Sequence, residues 1–173
     1  MNGNNGSICK LELGRQVLFL DFDGVLHRLS AIRTRRGITA NSPSIQLFEF
    51  APILADVLDP YGNVQIVLST SWVPILGYQR ARDALPTGLR ARVVGATYHS
   101  QYADAGTWAL RPRGEQILRY VWTNRLTNWL AIDDDINGLG QHLSHVVRCD
   151  ERFGLGEVET QKVLRVRLAE QFR

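Results

Sequence analysis

Short, continuous apolar runs are the feature of this sequence that most restricts its fold. The run at residues 17–22 ends in carboxylates, and the same pattern returns at residues 64–68, 92–96, 129–132 and 145–149. A segment that is apolar on both faces suits a strand inside a parallel sheet, because helices cover both sides of such a sheet. The sequence therefore predicts a set of buried parallel strands.

Longer segments between these runs have the residue spacing of helices. They cover residues 52–58, 74–85, 114–123 and 158–172. In the last segment, Leu164, Leu168 and Phe172 recur at intervals of four and share one helix face. Pro52 and Pro74 suit the first turn of a helix, where a missing backbone N–H breaks no hydrogen bond. Strands that alternate with helices predict an α/β fold with a layered sheet and right-handed crossovers.

The length of 173 residues suits one domain with a substantial core. We expect a flexible, Asn- and Gly-rich start at residues 1–10 and a single domain over residues 11–173. No apolar run approaches the roughly 18 residues that cross a bilayer, and the start lacks the pattern of a signal peptide. These features predict a cytoplasmic protein with no membrane partner.

Cysteine and lysine usage narrows the chemistry open to the chain. Cys9 and Cys149 are too few for a disulfide framework or a cysteine-based zinc site. Among 20 basic residues only Lys10 and Lys162 are lysines, and the net charge of +3 is too small to indicate a nucleic-acid partner by itself. Four arginines nevertheless form a denser local run: Arg28, Arg33, Arg35 and Arg36.

Polar residues follow three of the predicted strands, and layered α/β sheets bind their ligands beyond such strand ends. Asp21 and Asp23 end the first strand and point to the same side if the extended backbone continues, while Gly24 lets the chain turn. Such a pair can hold a hard cation and leave one carboxylate for covalent or acid–base work. An ordinary turn rich in Asp and Gly is the alternative.

Two further strand ends carry hydroxyls and acids. The hydroxyl residues 69–71 follow the second strand, where side-chain and backbone donors can bind a phosphate, although an ordinary helix N-cap is the alternative. The acidic residues 133–135 end the fourth strand. Three adjacent carboxylates repel one another unless a positive group lies among them, and a divalent cation would meet that need. A solvated acidic turn is the alternative.

In order and placement these segments resemble the motifs of the haloacid dehalogenase-like (HAD) superfamily, from about residue 17 to about residue 156. The resemblance implies a three-layer, Rossmann-like fold with a central parallel sheet and at most a minimal cap. It implies a nucleophile at Asp21 and a general acid and base at Asp23. A second-motif hydroxyl falls on Ser69, with Thr70 as the alternative.

The fourth motif, a pair of acids, falls on Asp133 and Asp134. The third motif is normally a Lys, or less often an Arg, between the second and fourth, but no lysine lies in that interval. Arg113 starts the predicted helix before the fourth-motif strand, which is where the superfamily places its cation, and Arg111 is the rival. The strings Leu-Ser-Thr-Ser-Trp, Arg-x-Glu-x-Ile and Ile-Asp-Asp-Asp are most similar to compact HAD domains found in bacterial "Swiss Army Knife" RNA-repair proteins.

The resemblance implies a Mg²⁺-dependent phosphohydrolase that works through an aspartyl-phosphate. Mg²⁺ would be held by the Asp21 carboxylate, the backbone carbonyl of Asp23 and one or both of Asp133 and Asp134. Ser69 or Thr70 would bind the transferring phosphate together with Arg113. An inert HAD-like binding or regulatory module is the alternative from a different class.

The intervals between the motifs leave no room for a large cap, so we expect a hairpin-like flap after the first motif and an open site. An open site favours bulky phosphorylated substrates such as a nucleic-acid end or a phosphoprotein, although capless enzymes for small metabolites exist. The flap arginines with Tyr98, Tyr102 and Trp108 would suit a phosphodiester backbone and stacked bases. Solvated charges and aromatic core packing are the alternative.

Three histidines carry weaker signals. His142 and His145 are three residues apart with no third ligand in view, so we expect surface residues and not a zinc site. His27 follows the first motif closely enough to contact substrate. It could equally be a flap residue that faces water.

Overall fold

The computed structural model describes residues 14–29, 31–34, 37–102 and 104–172. The expected flexible start at residues 1–10, with Cys9, lies outside these ranges, as do the flap residues Arg35 and Arg36. The strands are β1 (Gln16–Leu20), β2 (Ala31–Thr34), β3 (Gly37–Ala40), β4 (Gln65–Leu68), β5 (Val93–Ala96), β6 (Asn128–Asp133) and β7 (Val146–Arg148). The α-helices are α1 (Ala51–Leu58), α2 (Trp72–Leu76), α3 (Tyr78–Asp83), α4 (Thr87–Arg90), α5 (Arg113–Thr123) and α6 (Val158–Gln171). None of these helices is long and apolar enough to span a bilayer.

Five strands form one parallel sheet in the order β5, β4, β1, β6, β7. Strand β1 is central, and its Phe19 aligns with Val67 of β4 and with Ala131 of β6. The five predicted strands and the parallel sheet are therefore confirmed. Residues 17–20 of β1 have no solvent exposure, as expected for a strand covered on both faces.

Alternate residues of β1 build two cores on opposite faces of the sheet. Leu18 and Leu20 belong to the larger core, to which α1, α3, α4 and α6 contribute side chains. Val17 and Phe19 belong to the second core, in which α5 packs through Ile117 and its neighbours. Helices thus cover both faces, and the expected three-layer α/β architecture is confirmed.

One helix prediction was wrong in its extent. The expected helix over residues 74–85 consists of two short helices, α2 and α3, with Gly77 between them. Gly77 has a φ of 87°, which is outside the helical region and ends α2 after Leu76. Helix α4 was not predicted, whereas α1, α5 and α6 occupy the other three predicted helical segments to within a residue.

Strands β2 and β3 pair antiparallel and form the expected hairpin after the first strand. Between this hairpin and β4 the chain makes turns and the single helix α1. A separate cap domain is not present in the described part of this interval. Within the described residues of this interval, no second domain covers the carboxyl ends of the central strands.

Helix α5 begins in close contact with the loop that follows β6. The backbone N–H of Gly114 donates a hydrogen bond of 2.7 Å to the carbonyl of Asn137. A Cβ atom on Gly114 would lie 2.4 Å from the carbonyl carbon of Gly138 and 2.7 Å from the nitrogen of Leu139. Both neighbours are backbone atoms that cannot rotate away. The absence of a side chain at Gly114 therefore sets where Arg113 stands relative to the end of β6.

We expect Gly114→Ala to destabilise the protein by about 1–3 kcal/mol, because the added methyl group forces α5 away from this loop. Urea unfolding of the purified protein measures the change. Gly88→Ala in α4 is the matched control, since a Cβ there meets no atom within 4 Å and Ala favours a helix. Equal stability of the two variants would contradict this account of the α5 contact.

Candidate functional site

The carboxyl ends of three neighbouring strands meet at one edge of the sheet. Asp21 follows β1, and its N–H donates to the carbonyl of Ile132 in β6 at 3.2 Å. Ser69 follows β4, and its N–H donates to the carbonyl of Leu20 at 2.9 Å. Asp133 is the last residue of β6. The sheet order therefore brings together the motif segments that the sequence separates.

Three carboxylates form a compact cluster at this edge. Asp21, Asp133 and Asp134 each offer an oxygen atom, and the three atoms lie within 4.8 Å of one another. Asp21 is 4% exposed and Asp133 1% exposed. Gly24, with a φ of 71°, leaves room for this cluster, because a Cβ there would lie 2.7 Å from Oδ2 of Asp134. Gly24, which was predicted to let the chain turn, thus also lets the Asp134 side chain approach the backbone closely.

The electrostatics of the cluster are unfavourable for three ionised acids. Burial raises the pKa of Asp21, although Arg113 and the N–H of Phe22 oppose that rise. Burial, followed by repulsion from Asp21, raises the pKa of Asp133 well above its ordinary value. The same two causes raise the pKa of Asp134 to about 6. The cluster therefore has more negative charge than its protein surroundings compensate.

Arg113 is the arginine that reaches these acids. Its Nη2 lies 3.4 Å from Oδ2 of Asp21, and its Nε lies 3.2 Å from Oδ2 of Asp133. Burial alone lowers the pKa of Arg113, but the attraction of Asp21 and Asp133 raises it overall. The contact with Asp133 is an ion pair without hydrogen-bond geometry, so Oδ2 of Asp133 has no hydrogen-bond partner within the described residues.

Arg111, the rival for this position, lines the same small cleft as Arg113 but pairs with acids outside the cluster. Its Nη2 pairs with Oδ2 of Asp104 at 2.7 Å, and its Nη1 lies 3.6 Å from Oε2 of Glu115. The side chain is 41% exposed, whereas that of Arg113 is 15% exposed. The geometry favours Arg113 over Arg111 as the cation of the site.

The hydroxyl groups of Ser69 and Thr70, which follow β4, differ in their contacts. Ser69 has no solvent exposure, and its Oγ has no hydrogen-bond partner among the residues described. Thr70 and Arg113 line a small cleft of about 140 Å³. The Thr70 hydroxyl also hydrogen-bonds to Asp21 and thereby lowers the pKa of that acid, against the larger effect of burial. The geometry therefore favours Thr70 over Ser69 as the hydroxyl that faces the site.

Asp23 lies in different surroundings from the three clustered acids. Its Oδ2 accepts a hydrogen bond of 2.8 Å from Nε1 of Trp72, and its Oδ1 lies 3.0 Å from Nε2 of His27. The Asp23 side chain is 18% exposed. Asp23 is not one of the three acids whose oxygens lie within 4.8 Å of one another, although its charge contributes to the raised pKa of Asp21.

The sequence indicated His27 only as a residue that could contact substrate, and it did not single out Trp72. His27 has no solvent exposure, so the interpretation that it faces water is wrong. The turn at residues 24–26 returns the chain so that residues 23 and 27 form an isolated β-bridge. The four-residue spacing of Asp23 and His27 predicts contact between their side chains only if that turn is already known. Trp72 directly follows the hydroxyl residues, and nothing in the sequence distinguishes it from a core aromatic.

The aromatic linker is mainly packed against the protein. Trp108 is 2% exposed and lies 5.4 Å from the ring of Tyr102, centroid to centroid. The guanidinium of Arg119 lies 4.3 Å above the Tyr102 ring. Tyr98 and Tyr102 also line a cleft of about 500 Å³. Core packing therefore accounts for Trp108, whereas the two tyrosines are partly accessible.

Other predicted contact residues have protein partners. Arg28 pairs with Glu49 at 2.9 Å. His145 stacks on Trp129 with a centroid distance of 4.5 Å and an interplanar angle of 14°, and His142 also packs on that ring. The two histidines are half-buried, and neither belongs to a possible metal-binding group within the described residues.

Comparison with protein families places this site in a known context. Residues 17–160 match the family described as the HAD domain in Swiss Army Knife RNA repair proteins. Comparisons with curated proteins and with solved structures find no match. The matched segment includes all three strand ends and the helix that carries Arg113. The chain therefore belongs to the family of HAD domains found in Swiss Army Knife RNA repair proteins.

Proposed function

We propose that this protein is a Mg²⁺-dependent phosphatase that forms an aspartyl-phosphate on Asp21 and acts on the phosphate of a nucleotide or polynucleotide end. The observation that carries this proposal is the carboxylate group at the carboxyl edge of the sheet, in which Asp21 and Asp133 are buried and contact Arg113 while Asp134 is partly exposed. Such a group serves phosphoryl transfer, which requires a nucleophile and compensation of phosphate charge.

The proposed reaction has two steps, and Asp23 gives up a proton in the first step and regains one in the second. In the first step, a carboxylate oxygen of Asp21 bonds to phosphorus, the bond from phosphorus to the leaving oxygen breaks, and Asp23 gives that oxygen its proton. In the second step, water attacks phosphorus and passes a proton to Asp23, while the bond between phosphorus and Asp21 breaks. Inorganic phosphate leaves, and both aspartates regain their starting states.

The residues present fit a Mg²⁺ ion. The ligands are carboxylate oxygens, which hard cations prefer, and Oδ2 of Asp133 is buried without a hydrogen-bond donor in the described chain. Asp21, Asp133 and Asp134 would hold the ion together with the backbone carbonyl of Asp23. When bound, Mg²⁺ supplies positive charge that keeps these acids ionised and offsets phosphate charge.

Arg113 and Thr70 are suited to bind the phosphate group. A guanidinium offers donors in a planar fork that can contact Asp21 and a phosphate oxygen together. The Thr70 hydroxyl lines the same small cleft. Ser69, the first choice from the sequence, is less suited because its hydroxyl is fully buried.

Two observations support a nucleic-acid phosphate as the substrate. No cap domain is present in the described part of the chain, so a bulky end has access to the strand ends. The family is described from RNA repair proteins, and a nucleic-acid phosphate suits that description. A phosphate-release assay over nucleotides, 3′- and 5′-phosphorylated oligonucleotides, phosphopeptides and sugar phosphates tests this class. Preference for a peptide or sugar substrate would contradict it.

We expect Asp21→Asn to lower the rate of phosphate release by more than about a thousandfold, because the amide has no nucleophilic charge. The circular dichroism spectrum should stay that of the wild type. Mass spectrometry after trapping with a phosphate mimic should place the adduct on Asp21. An adduct on Asp23, or normal turnover of the Asn variant, would refute the covalent mechanism.

The double variant Asp133→Asn with Asp134→Asn should lose the rise in melting temperature that Mg²⁺ gives the wild type. In chelator at pH 7.5 the variant should melt at or above the wild type. Both acids have a raised pKa in the folded protein, so the folded protein loses stability as they ionise, over roughly pH 4–6 for Asp134. The Asn side chains of the variant do not ionise and cause no such loss. Each kcal/mol recovered raises the melting temperature by about 2–4 °C. An unchanged Mg²⁺ shift in the variant would remove these acids from the metal site.

Arg113→Ala should lower kcat/KM by roughly a hundredfold, which corresponds to on the order of 3 kcal/mol for one charged transition-state contact. Arg113→Lys should recover part of the loss, since it restores the charge without the planar fork. Arg111→Ala is the matched control and should have a mild effect, because Arg111 pairs with Asp104 and not with the acidic cluster. The reverse order of the two alanine variants would assign the phosphate contact to Arg111.

A further inference from the structure

We propose that His27 and Trp72 are positioning residues that hold the Asp23 carboxyl group in one orientation for proton transfer. This inference rests on the proposed phosphatase function, in which Asp23 gives a proton to the leaving oxygen and takes one from water. It concerns two residues that do not belong to the acidic cluster and that contact the reaction only through Asp23.

Each oxygen of Asp23 has a separate protein contact. Nε1 of Trp72 donates to Oδ2 at 2.8 Å, and Nε2 of His27 lies 3.0 Å from Oδ1. The indole N–H is a donor only, so the direction of that hydrogen bond is unambiguous. Each carboxyl oxygen has a second lone pair, which stays available for the transferred proton. The two contacts therefore restrict rotation of the carboxyl group and leave one lone pair free on each oxygen.

A backbone contact selects the form of His27 that donates to Asp23. The N–H of Phe48 donates to Nδ1 of His27 at 3.4 Å. Nδ1 must then carry a lone pair, and the neutral ring has its hydrogen on Nε2, which faces Asp23. The backbone N–H of Phe48 thus determines that His27 donates the hydrogen bond to Asp23.

The donors sit in a tightly packed group of rings, which we call the aromatic cage: Phe22, His27, Phe48 and Trp72. His27 has no solvent exposure, and Trp72 is 3% exposed. The Phe48 ring lies 5.3 Å from the His27 ring and 5.4 Å from the Trp72 ring, in both cases edge to face. Packing of this kind allows few rotamers, so the two donors are fixed before substrate binds.

A purely structural role for the aromatic cage makes a different prediction from a positioning role. The value of kcat/KM reports the steps up to departure of the leaving group, and in those steps misplacing Asp23 matters only when the leaving oxygen needs a proton. An alkoxide from a nucleotide ribose needs one, whereas p-nitrophenolate is stable enough to leave without it. A general loss of folding would lower activity on both kinds of substrate alike. The ratio of the two activities therefore separates the two roles.

The test compares kcat/KM for p-nitrophenyl phosphate and for a nucleoside monophosphate, with Mg²⁺ and full-length protein. His27→Leu and Trp72→Phe each remove one donor and keep an apolar side chain of similar size. We expect each to lower kcat/KM at least about tenfold more for the nucleotide than for the aryl phosphate. His27→Gln, which can place an N–H near the position of Nε2, should recover part of the nucleotide activity.

Leu168→Ala in α6 is the matched control, because it weakens the larger core and leaves the aromatic cage and both donors in place. It should change the two activities by the same factor. An equal loss on both substrates in His27→Leu and Trp72→Phe would overturn the positioning role and assign these residues to packing. The same conclusion follows if Leu168→Ala reproduces the selective loss.

A measurement without turnover separates failure of this inference from failure of the proposed function. A wild type that hydrolyses neither substrate would refute the phosphatase proposal and the positioning role with it. The long-range ¹H–¹⁵N correlation spectrum of the imidazole groups tests the hydrogen-bond arrangement on its own. We expect a His27 ring with its proton on Nε2 and none on Nδ1 at neutral pH. The opposite tautomer, or a doubly protonated ring, would overturn the arrangement even in an active enzyme.

Discussion

The repulsion among buried carboxylates is the constraint on which the arrangement of this site depends. Strands β1 and β6 are neighbours in the sheet, so the acids that end them cannot separate without breaking the parallel pairing. Burial raises the pKa of Asp21 and of Asp133, which means that their negative charges are held at a cost to the fold. Positive charge must offset that cost. A guanidinium supplies part of it, and the remaining demand is what suits the edge of the sheet to a divalent cation.

The position of that guanidinium follows from a backbone contact and not from charge alone. Arg113 is the first residue of α5, and the next residue, Gly114, lies against the loop after β6 at distances that exclude a side chain. The helix thus approaches the acids as closely as backbone atoms allow. Arg111, two residues earlier, is attracted to Asp104 instead. Two arginines of equal charge therefore acquire different surroundings because only one adjoins this contact.

Sequence patterns predicted the sheet and the acids well because both depend on local periodicity and on strand ends. Apolar runs identified all five strands of the sheet, and three of the acids beyond them, Asp21, Asp133 and Asp134, lie together at one edge. The patterns failed where a single backbone angle or turn decides the outcome. Gly77 divides a predicted helix through its positive φ, and the turn after Phe22 buries His27. The choice between Ser69 and Thr70 also depends on which side of the strand end each faces, and spacing alone does not determine that.

Two aspartates separated by one residue occupy environments that suit different chemical tasks. Asp21 lies beside a guanidinium, a backbone N–H and two other acids, so its surroundings are dominated by charge. Asp23 contacts an indole N–H and an imidazole that the N–H of Phe48 holds in place. Charged neighbours change the pKa and the nucleophilicity of a carboxylate. Rings that hydrogen-bond to it mainly fix the orientation of its oxygens. The turn that begins at Gly24 brings His27 back to Asp23, and the proposed nucleophile and proton carrier can therefore lie two positions apart without sharing one set of contacts.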